Sequence, residues 1–181
     1  MIRQFRTDRL ILRELEVSDC TPEYVGWLND SEINRYLETR HEPQDEVSVR
    51  EFVERCLAKS DEFLFGIFLA EGGRHIGNIK VGPVRGHHGL ADISLFIGAR
   101  DCWGKGYATE AIVALSRRAF EELGVAKLSA SMYAPNEGSR QAFLKAGYRE
   151  EGLRRGHLEL DRARCDVVEL GLLPSDLPAP K

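Results

Sequence analysis

The most informative segment of the chain is Ala91-Asp-Ile-Ser-Leu-Phe-Ile-Gly-Ala-Arg-Asp-Cys-Trp-Gly-Lys-Gly-Tyr-Ala-Thr-Glu-Ala111. Its first part contains four apolar residues, Ile93, Leu95, Phe96 and Ile97, which predict a buried strand. Gly104 and Gly106 then predict a turn whose backbone a ligand can approach closely. From Thr109 to Leu123 apolar residues recur at helical spacing, which predicts a long helix. Because the free N–H groups at a helix start attract anions, we expect a phosphate-bearing ligand at this turn.

Two common phosphate-binding loops fit this turn poorly. A Walker loop needs four residues between its glycines, whereas five residues separate Gly98 from Gly104. No Ser or Thr follows Lys105 to bind magnesium, which disfavours a nucleotide-dependent switch. A dinucleotide fingerprint needs Gly or Ala at the position that Thr109 occupies. A glycine turn with no ligand is also disfavoured, because glycines directly before a helix are destabilising.

A third kind of loop fits better. The segment Gly104-Lys-Gly-Tyr-Ala108 resembles the pyrophosphate loop of the GNAT acyltransferases, whose pattern is Gln/Arg-x-x-Gly-x-Gly/Ala, although Trp103 stands where the family usually has Gln or Arg. The sequence of residues 103–111 is similar to the corresponding sequences in the Rim-type branch of that family, which includes ribosomal-protein N-terminal acetyltransferases. A second segment, 136–148, resembles the family's Asn-x-x-Ser/Ala…Lys-x-Gly-Phe run and follows about 30 residues later, as it does in the family. The resemblance extends over residues 9–172.

The resemblance implies an α+β fold built as a single GNAT-type domain. Its sheet is expected to be mixed and mostly antiparallel, with about seven strands flanked by helices, because antiparallel strands come first and strand–helix alternation follows. In the family the fourth and fifth strands splay apart and the acyl group lies between them. Here these strands are predicted at 90–97 and 127–133. We expect the domain to span residues 1–173, with a frayed, proline-containing tail over 174–181.

Hydrophobic periodicity and turn residues place the other elements. Strands are predicted at 10–14, 63–69, 75–84, 148–155 and 164–172. Helices are predicted at 21–28, 45–59 and 137–146.

The resemblance implies acetyl-CoA as co-substrate. Backbone groups of Phe96, Ile97 and Gly98 would run alongside its pantetheine arm as an added pseudo-strand. Trp103 begins the loop, and Lys105 either adds charge or points to solvent. The pyrophosphate would lie on backbone N–H groups of Gly104, Lys105, Gly106, Tyr107, Ala108 and Thr109.

Asn136 has two possible roles. In the family the corresponding side chain hydrogen-bonds the pantetheine arm. On propensity alone Asn136 is an ordinary helix N-cap. Both roles can hold at once, since the cap uses only one side of the amide.

The proton acceptor has several candidates. A thioester is already activated, so the transfer to an amine can be direct and is helped by positioning and by a general base. Asp92 is the first candidate, because the histone-acetyltransferase branch has a catalytic Glu at this position of the strand. The alternative is a solvated Asp92 or one paired with an arginine. Glu159 and His157, near the last hairpin, are further candidates.

The proton donor is less well determined by the sequence. Many family members carry a Tyr seven residues after the Asn, but this chain has Phe143 there, which cannot donate a proton. Ser139 is the first candidate and Tyr133 a further one. The thiolate can also leave unprotonated, since an ordinary thiol has a pKa near 8.5. The absent Tyr is the only support for an alternative function, a non-catalytic acyl-CoA-binding or sensing module.

Length and net charge limit the classes of function that we expect for this chain. The chain has 181 residues, of which 43% are hydrophobic, which suits one well-packed domain. Its net charge is −4 and its basic residues are scattered, so no nucleic acid is expected as a partner. No apolar run approaches a membrane span, and the first nine residues lack a signal-peptide core, so no membrane attachment is expected.

Cysteines and histidines complete the expectations. Adjacent His87 and His88 lie in a predicted turn without other ligand residues at suitable spacing, so no metal site is expected. The partners are then acetyl-CoA and an amine acceptor, which could be a protein N-terminus, a polyamine, an aminosugar or another small amine. The chain could be a monomer or a homodimer. The cysteines form no Cys-x-x-Cys pair and indicate reduced thiols in the cytoplasm: Cys20, Cys56, Cys102 and Cys165.

Overall fold

One mixed sheet organises the chain, whose computed structural model describes residues 3–179. Within that range eight strands follow the order β1-β2-β3-β4-β5-β6-β8-β7. The strands are β1 (Gln4–Arg6), β2 (Leu10–Glu14), β3 (Phe63–Leu69), β4 (His75–Val81), β5 (Leu90–Ile97), β6 (Lys127–Tyr133), β7 (Arg149–Leu160) and β8 (Ala163–Leu172). The predicted α+β fold is confirmed. The eighth strand is β1, a three-residue edge strand that the sequence did not predict.

Among the described residues, four α-helices cover the sheet: α1 (Pro22–Asn29), α2 (Glu46–Leu57), α3 (Tyr107–Glu122) and α4 (Glu137–Lys145). Helix α3 packs on β2, β4 and β5, α2 packs on β3, and α4 packs on α3. Helix α3 begins two residues before its predicted start, because Gly106 takes a left-handed conformation and serves as its N-cap. None of the described helices combines the length and the apolar character needed to cross a bilayer.

The sheet divides between β5 and β6. All neighbours from β1 to β5 are antiparallel, as are β6, β8 and β7 among themselves, so β5–β6 is the parallel junction. This junction pairs only Leu90–Asp92 with Lys127–Ser129. Beyond Asp92 the two strands diverge, which confirms the predicted splay.

The chain after β8 is docked as far as Pro178, and the expectation of a frayed tail was wrong for residues 174–178. A 3-10 turn covers Pro174–Asp176, and the Asp176 carboxylate lies 2.6 Å from Arg149 Nη2. Arg117 Nη2 donates to the Pro178 carbonyl at 2.7 Å, while Leu177 packs against the core. These contacts from two arginines outweigh the local preference of prolines for irregular chain. Residues 180 and 181 lie outside the described range.

The pairing of β4 with β5 depends on Gly77, which opposes Ile97. A Cβ at Gly77 would overlap the backbone carbonyl oxygen of Phe96. Because that oxygen cannot move without separating the strands, Gly77→Ala should lower the free energy of unfolding by about 1–3 kcal/mol. Gly26→Ala in α1 is the matched control, since its Cβ would meet nothing within 4 Å. The control should raise stability by about 0.5–1 kcal/mol. Urea denaturation measures both, and an unchanged midpoint for Gly77→Ala would contradict this account of the close approach.

Candidate active site

A cavity of about 410 Å³ occupies the space between the diverging strands. Its walls come from β5, β6, α4 and the β7–β8 hairpin. Two predicted site residues, Asn136 and Ser139, line it, as do Tyr133, Phe143 and His157.

On its other edge, β5 is fully engaged by β4. The Gly82 N–H donates to the Asp92 carbonyl at 2.9 Å, and the Gly98 N–H donates to the Ile76 carbonyl at 2.9 Å. The backbone groups of successive residues alternate between the two edges of a strand. Every second residue from Asp92 to Gly98 therefore directs its N–H and C=O groups to β4. Phe96 and Gly98, two of the predicted pantetheine contacts, are among them.

The alternate residues of β5 face the gap. Ile93, Leu95 and Ile97 direct their backbone groups to the edge that β6 has left, so this edge is open to an extended ligand. At its outer end the Trp103 indole Nε1 donates to the Ile97 carbonyl at 2.7 Å. Trp103 therefore braces the glycine turn against the open edge of β5.

The glycine turn leads directly into α3. Gly104 and Gly106 have φ values of +72° and +81°, a left-handed conformation that favours glycine. The first helical bond runs from the Glu110 N–H to the Gly106 carbonyl at 3.1 Å, so the N–H groups of 107–109 have no helical partner. No heavy atom lies within 4 Å of where a Cβ of Gly104 would be. The predicted loop residues are thus together at an accessible helix start, with the Lys105 side chain exposed.

Helix α4 holds Asn136 and Ser139 beside this loop. The Asn136 side chain accepts from the Ser139 N–H at 3.3 Å, so it acts as the N-cap. Thr109 Oγ1 donates to the Ala142 carbonyl at 3.3 Å and ties α3 to α4. The Ser139 hydroxyl forms no hydrogen bond with any described residue.

Asp92 lies where β5 and β6 are still paired, and it does not line the cavity. Its carboxylate lies 2.6 Å from Arg85 Nη2 and accepts a hydrogen bond from the Ser129 hydroxyl. The arrangement matches the alternative of an arginine-paired aspartate. Any part for Asp92 in proton transfer would have to bridge from this position to the cavity.

Of the two other candidate bases, His157 and Glu159, only the first lines the cavity. His157 lines the cavity, with Nε2 3.0 Å from Arg154 Nη1. Glu159 does not line it, and its backbone carbonyl accepts from Arg40 Nη2 at 3.1 Å.

A loop that the sequence left unassigned crosses the mouth of the cavity. Residues 36–40, here called the strap, attach to β6 and to the turn before α4. Tyr36 donates to the Pro135 carbonyl at 3.2 Å. The Tyr133 hydroxyl donates to Glu38 Oε1 at 2.6 Å and accepts from Arg40 Nη2 at 2.8 Å. The strap therefore brings a carboxylate, Glu38, to the cavity.

Burial raises the pKa of Tyr133, and the hydrogen bond to Glu38 raises it further, whereas Arg40 opposes the shift. The phenol is consequently protonated throughout the neutral range. At the position where the family resemblance suggested a Tyr, Phe143 is buried, and its ring packs edge-on against the Tyr148 ring with 4.9 Å between the ring centroids. Tyr133 and Tyr36 both bring a phenol to this cavity, but the Tyr36 hydroxyl donates to the Pro135 carbonyl.

A second cavity of about 650 Å³ lies on the other side of the strap. It extends between α2 and the strands β3 to β5. Three glutamates and two cations border it: Glu38, Glu42, Glu51, Arg55 and Lys80. Both cavities are bordered by residues 36–38 and by Ser94 and Leu95, so they meet beside the open part of β5.

Metal ligands do not cluster in the part of the chain that the structure describes. No group of three or more His, Cys, Asp or Glu residues there could hold an ion. His87 and His88 lie in an exposed 3-10 turn.

The family model for the acetyltransferase (GNAT) domain matches residues 9–149. The chain belongs to the GNAT acetyltransferase family. Its curated relatives include two proteins of Bacillus subtilis (strain 168). The probable N-acetyltransferase YjcK is 33% identical over 129 residues, which is 71% of this chain and 70% of that protein. The uncharacterized N-acetyltransferase YoaA is 28% identical over 154 residues, 84% of this chain and 86% of that protein. Like these relatives, the chain is an acyltransferase.

Solved GNAT structures share the fold. Spermidine N-acetyltransferase from Vibrio cholerae, in complex with CoA and spermine, superposes with a TM-score of 0.83 at 23% identity, covering 94% of this chain and 98% of that one. RimJ from Mycobacterium smegmatis, in complex with CoA-disulfide, gives a TM-score of 0.81 at 22% identity, covering 94% and 84%. At this identity the likeness shows the fold alone.

The environment of Tyr133 makes a direct prediction. Its phenol should ionise at higher pH than an unperturbed tyrosine, whose pKa is about 10. Ultraviolet difference titration of the wild type against Tyr133→Phe isolates this one phenolate. Glu38→Gln removes the neighbouring negative charge and should lower the pKa of Tyr133. Ionisation of Tyr133 at or below the ordinary value would show that the Glu38 contact does not form.

Proposed function

We propose that the chain is an acetyl-CoA-dependent N-acetyltransferase that moves the acetyl group directly to a primary amine. The observation that carries this proposal is the open edge of β5, which runs along a cavity and ends at the glycine-led start of α3. The extended pantetheine arm of acetyl-CoA needs an open strand edge, and the diphosphate joined to it needs the free N–H groups of a helix start. The CoA complexes of the two structural neighbours named above support the same ligand.

The described residues fit the donor. The N–H groups of residues 104–109 would hold the diphosphate, because the left-handed glycines expose them and no side chain fills the space at Gly104. Pantetheine would pair with the open edge at Ile97 and Leu95, with Phe96 and Gly98 fixing that edge through β4. Asn136 borders the cavity and can offer its amide N–H₂ while its oxygen caps α4.

The donor supplies an activated thioester, so the chain must position the amine and accept its proton. An alkyl amine is neutral in only about one molecule in 10³ at pH 7. Asp92, the candidate from the sequence, would need a relay, since Arg85 and Ser129 engage its carboxylate. Glu38 Oε1 accepts from Tyr133 and lies 3.5 Å from Arg40 Nη1, but the carboxylate is exposed and borders both cavities, which favours it over Asp92. We propose Glu38 as the proton acceptor, with Asp92 as the alternative.

The departing thiolate has two candidate donors at the cavity. Ser139 has an unengaged hydroxyl one turn into α4. Tyr133 has a protonated phenol whose proton now points to Glu38. We propose Ser139 as the donor and Tyr133 as a second donor coupled to Glu38 through their hydrogen bond.

The second cavity is the proposed acceptor site. Its glutamates favour a cationic amine, and its common wall with the first cavity would bring that amine beside β5. The acceptors compatible with it are a protein N-terminus, a polyamine, an aminosugar or another small amine.

The run Trp103–Ala111 and the RimJ structure support membership of the Rim-type branch. The cysteines are free, which supports a reducing compartment, and we propose the cytoplasm.

Acetyl-CoA-dependent thiol release with a panel of amines tests the function. The panel contains spermidine, a short peptide with a free N-terminus, and an aminosugar. Wild-type chain should release thiol with one class and leave the others unreacted. CoA binding without release on any amine would favour the non-catalytic sensing module instead. Absence of CoA binding would overturn the proposal altogether.

Substitutions then separate the candidate catalytic groups. Glu38→Gln should lower kcat about a hundredfold at neutral pH, because a general base contributes 10²–10⁴. Asp92→Asn should leave kcat within about threefold if its role is only to pair with Arg85. Ser139→Ala and Tyr133→Phe should each lower kcat, and the double variant more than either. The reverse order for Glu38 and Asp92 would transfer the base role to Asp92.

Asn136 can be tested for its two roles at once. Asn136→Ala removes the N-cap and should cost about 1 kcal/mol of stability. Asn136→Ser keeps a capping oxygen but loses the amide donor. It should retain stability within about 0.5 kcal/mol, while the Kd for acetyl-CoA rises about fivefold to tenfold. Unchanged affinity in Asn136→Ser would reduce Asn136 to a cap.

A further inference from the structure

The segment between β1 and β2 forms hydrogen bonds to the first turn of α3, and all of these bonds go to the carboxylate of Glu110. Thr7 Oγ1 donates to Glu110 Oε1 at 2.6 Å, and the Arg9 backbone N–H donates to the same oxygen at 3.0 Å. The Arg9 side chain takes the other oxygen, with Nε donating to Oε2 at 2.7 Å and Nη2 lying 2.6 Å from it. Both oxygens are used, which distinguishes this contact from an ordinary surface ion pair.

The same guanidinium also reaches the glycine turn. Arg9 Nη1 donates to the Lys105 carbonyl at 3.0 Å, and the guanidinium lies over the Tyr107 ring at 4.6 Å. The C=O and N–H of one trans peptide point in opposite directions. The bond to Lys105 therefore turns the Gly106 N–H away from Arg9. Because glycine lets a peptide rotate at little cost, an external bond is what fixes this orientation.

The charge of Glu110 makes Arg9 necessary in a second way. A carboxylate in the first turn favours the helix dipole, but it repels an anion that binds at the same helix start. Burial acts to raise the pKa of Glu110, yet the hydrogen bonds from Thr7 and Arg9 outweigh it and hold the pKa below its usual value. Glu110 is thus ionised at neutral pH. Arg9 compensates its charge beside the turn.

We propose that Arg9 is a positioning residue for the diphosphate of acyl-CoA. It fixes the Lys105–Gly106 peptide so that the Gly106 N–H stays available to the anion, and it neutralises Glu110 at the start of α3. This inference rests on the proposed function. It adds to the donor site a residue about 95 positions before the loop that binds it.

The test compares a donor that carries phosphate with one that does not. Calorimetry gives the Kd for CoA, and kinetics give KM for acetyl-CoA and for S-acetylpantetheine, which has no diphosphate. Arg9→Lys keeps the charge but cannot span both partners, so Kd and KM for the CoA compounds should rise about tenfold. KM for S-acetylpantetheine should not change. Equal losses with both donors would mean a purely structural role and would overturn the proposal.

A double variant tests the electrostatic part. Arg9→Met leaves Glu110 uncompensated and should weaken CoA binding more than Arg9→Lys does. Arg9→Met with Glu110→Gln removes the repulsion and should bind CoA at least about threefold more tightly than Arg9→Met alone. No recovery in the double variant would contradict the neutralising role. If Arg9→Met does not fold, as judged by its thermal transition, Arg9→Lys and Glu110→Gln carry the test.

Arg118→Lys is the matched control. Arg118 lies on α3, the helix that carries Glu110, and its Nη1 is 3.0 Å from Glu122 Oε1, remote from the glycine turn. It should change neither donor's constants. If the wild type itself fails to bind CoA, the proposed function is wrong. If the wild type binds and Arg9→Lys binds equally well, only the inference about Arg9 is wrong.

Discussion

The short pairing of β5 with β6 is the constraint on which the rest of the structure depends. Three residue pairs join the two halves of the sheet, and beyond them each strand keeps only its outer neighbour. An unpaired strand edge inside a folded domain is unfavourable unless something pairs with it. In the function proposed above, the amide groups of pantetheine pair with that edge. The split then serves recognition, while the antiparallel pairs on both sides supply the stability.

Contacts between distant parts of the chain convert this split into a site. Tyr36, Glu38 and Arg40 come from the loop before α2 and reach β6 and the turn before α4. The segment before β2 reaches α3 in the same way, through Thr7 and Arg9. In both cases hydrogen bonds that involve a charged side chain hold a connecting segment against a helix or strand. The glycine turn and the cavity mouth thus gain fixed geometry without rigid residues of their own.

The sequence predicted what local chemistry determines. The long helix, the glycine turn and the cap at Asn136 follow from periodicity and from residue types at short spacing, whereas the splay of β5 and β6 was implied by the resemblance to the GNAT family. The strap could not be predicted, because Glu38 and Tyr133 are 95 positions apart and no local pattern links them. The pairing of Asp92 with an arginine was one of the predicted alternatives, but its contact with Ser129 was hidden, since the two residues meet only through the register of β5 and β6. The docked tail reverses a composition rule through two arginine contacts.

Backbone amide chemical shifts during titration of the full chain with CoA test the central claim most directly. We expect the shifts to concentrate on the open edge at Ile93, Leu95 and Ile97 and on residues 104–109. The backbone around the second cavity, at 42–55, should change little until an amine is added. Shifts confined to other surfaces, or no saturable change at all, would contradict the claim that the split between β5 and β6 is the donor site.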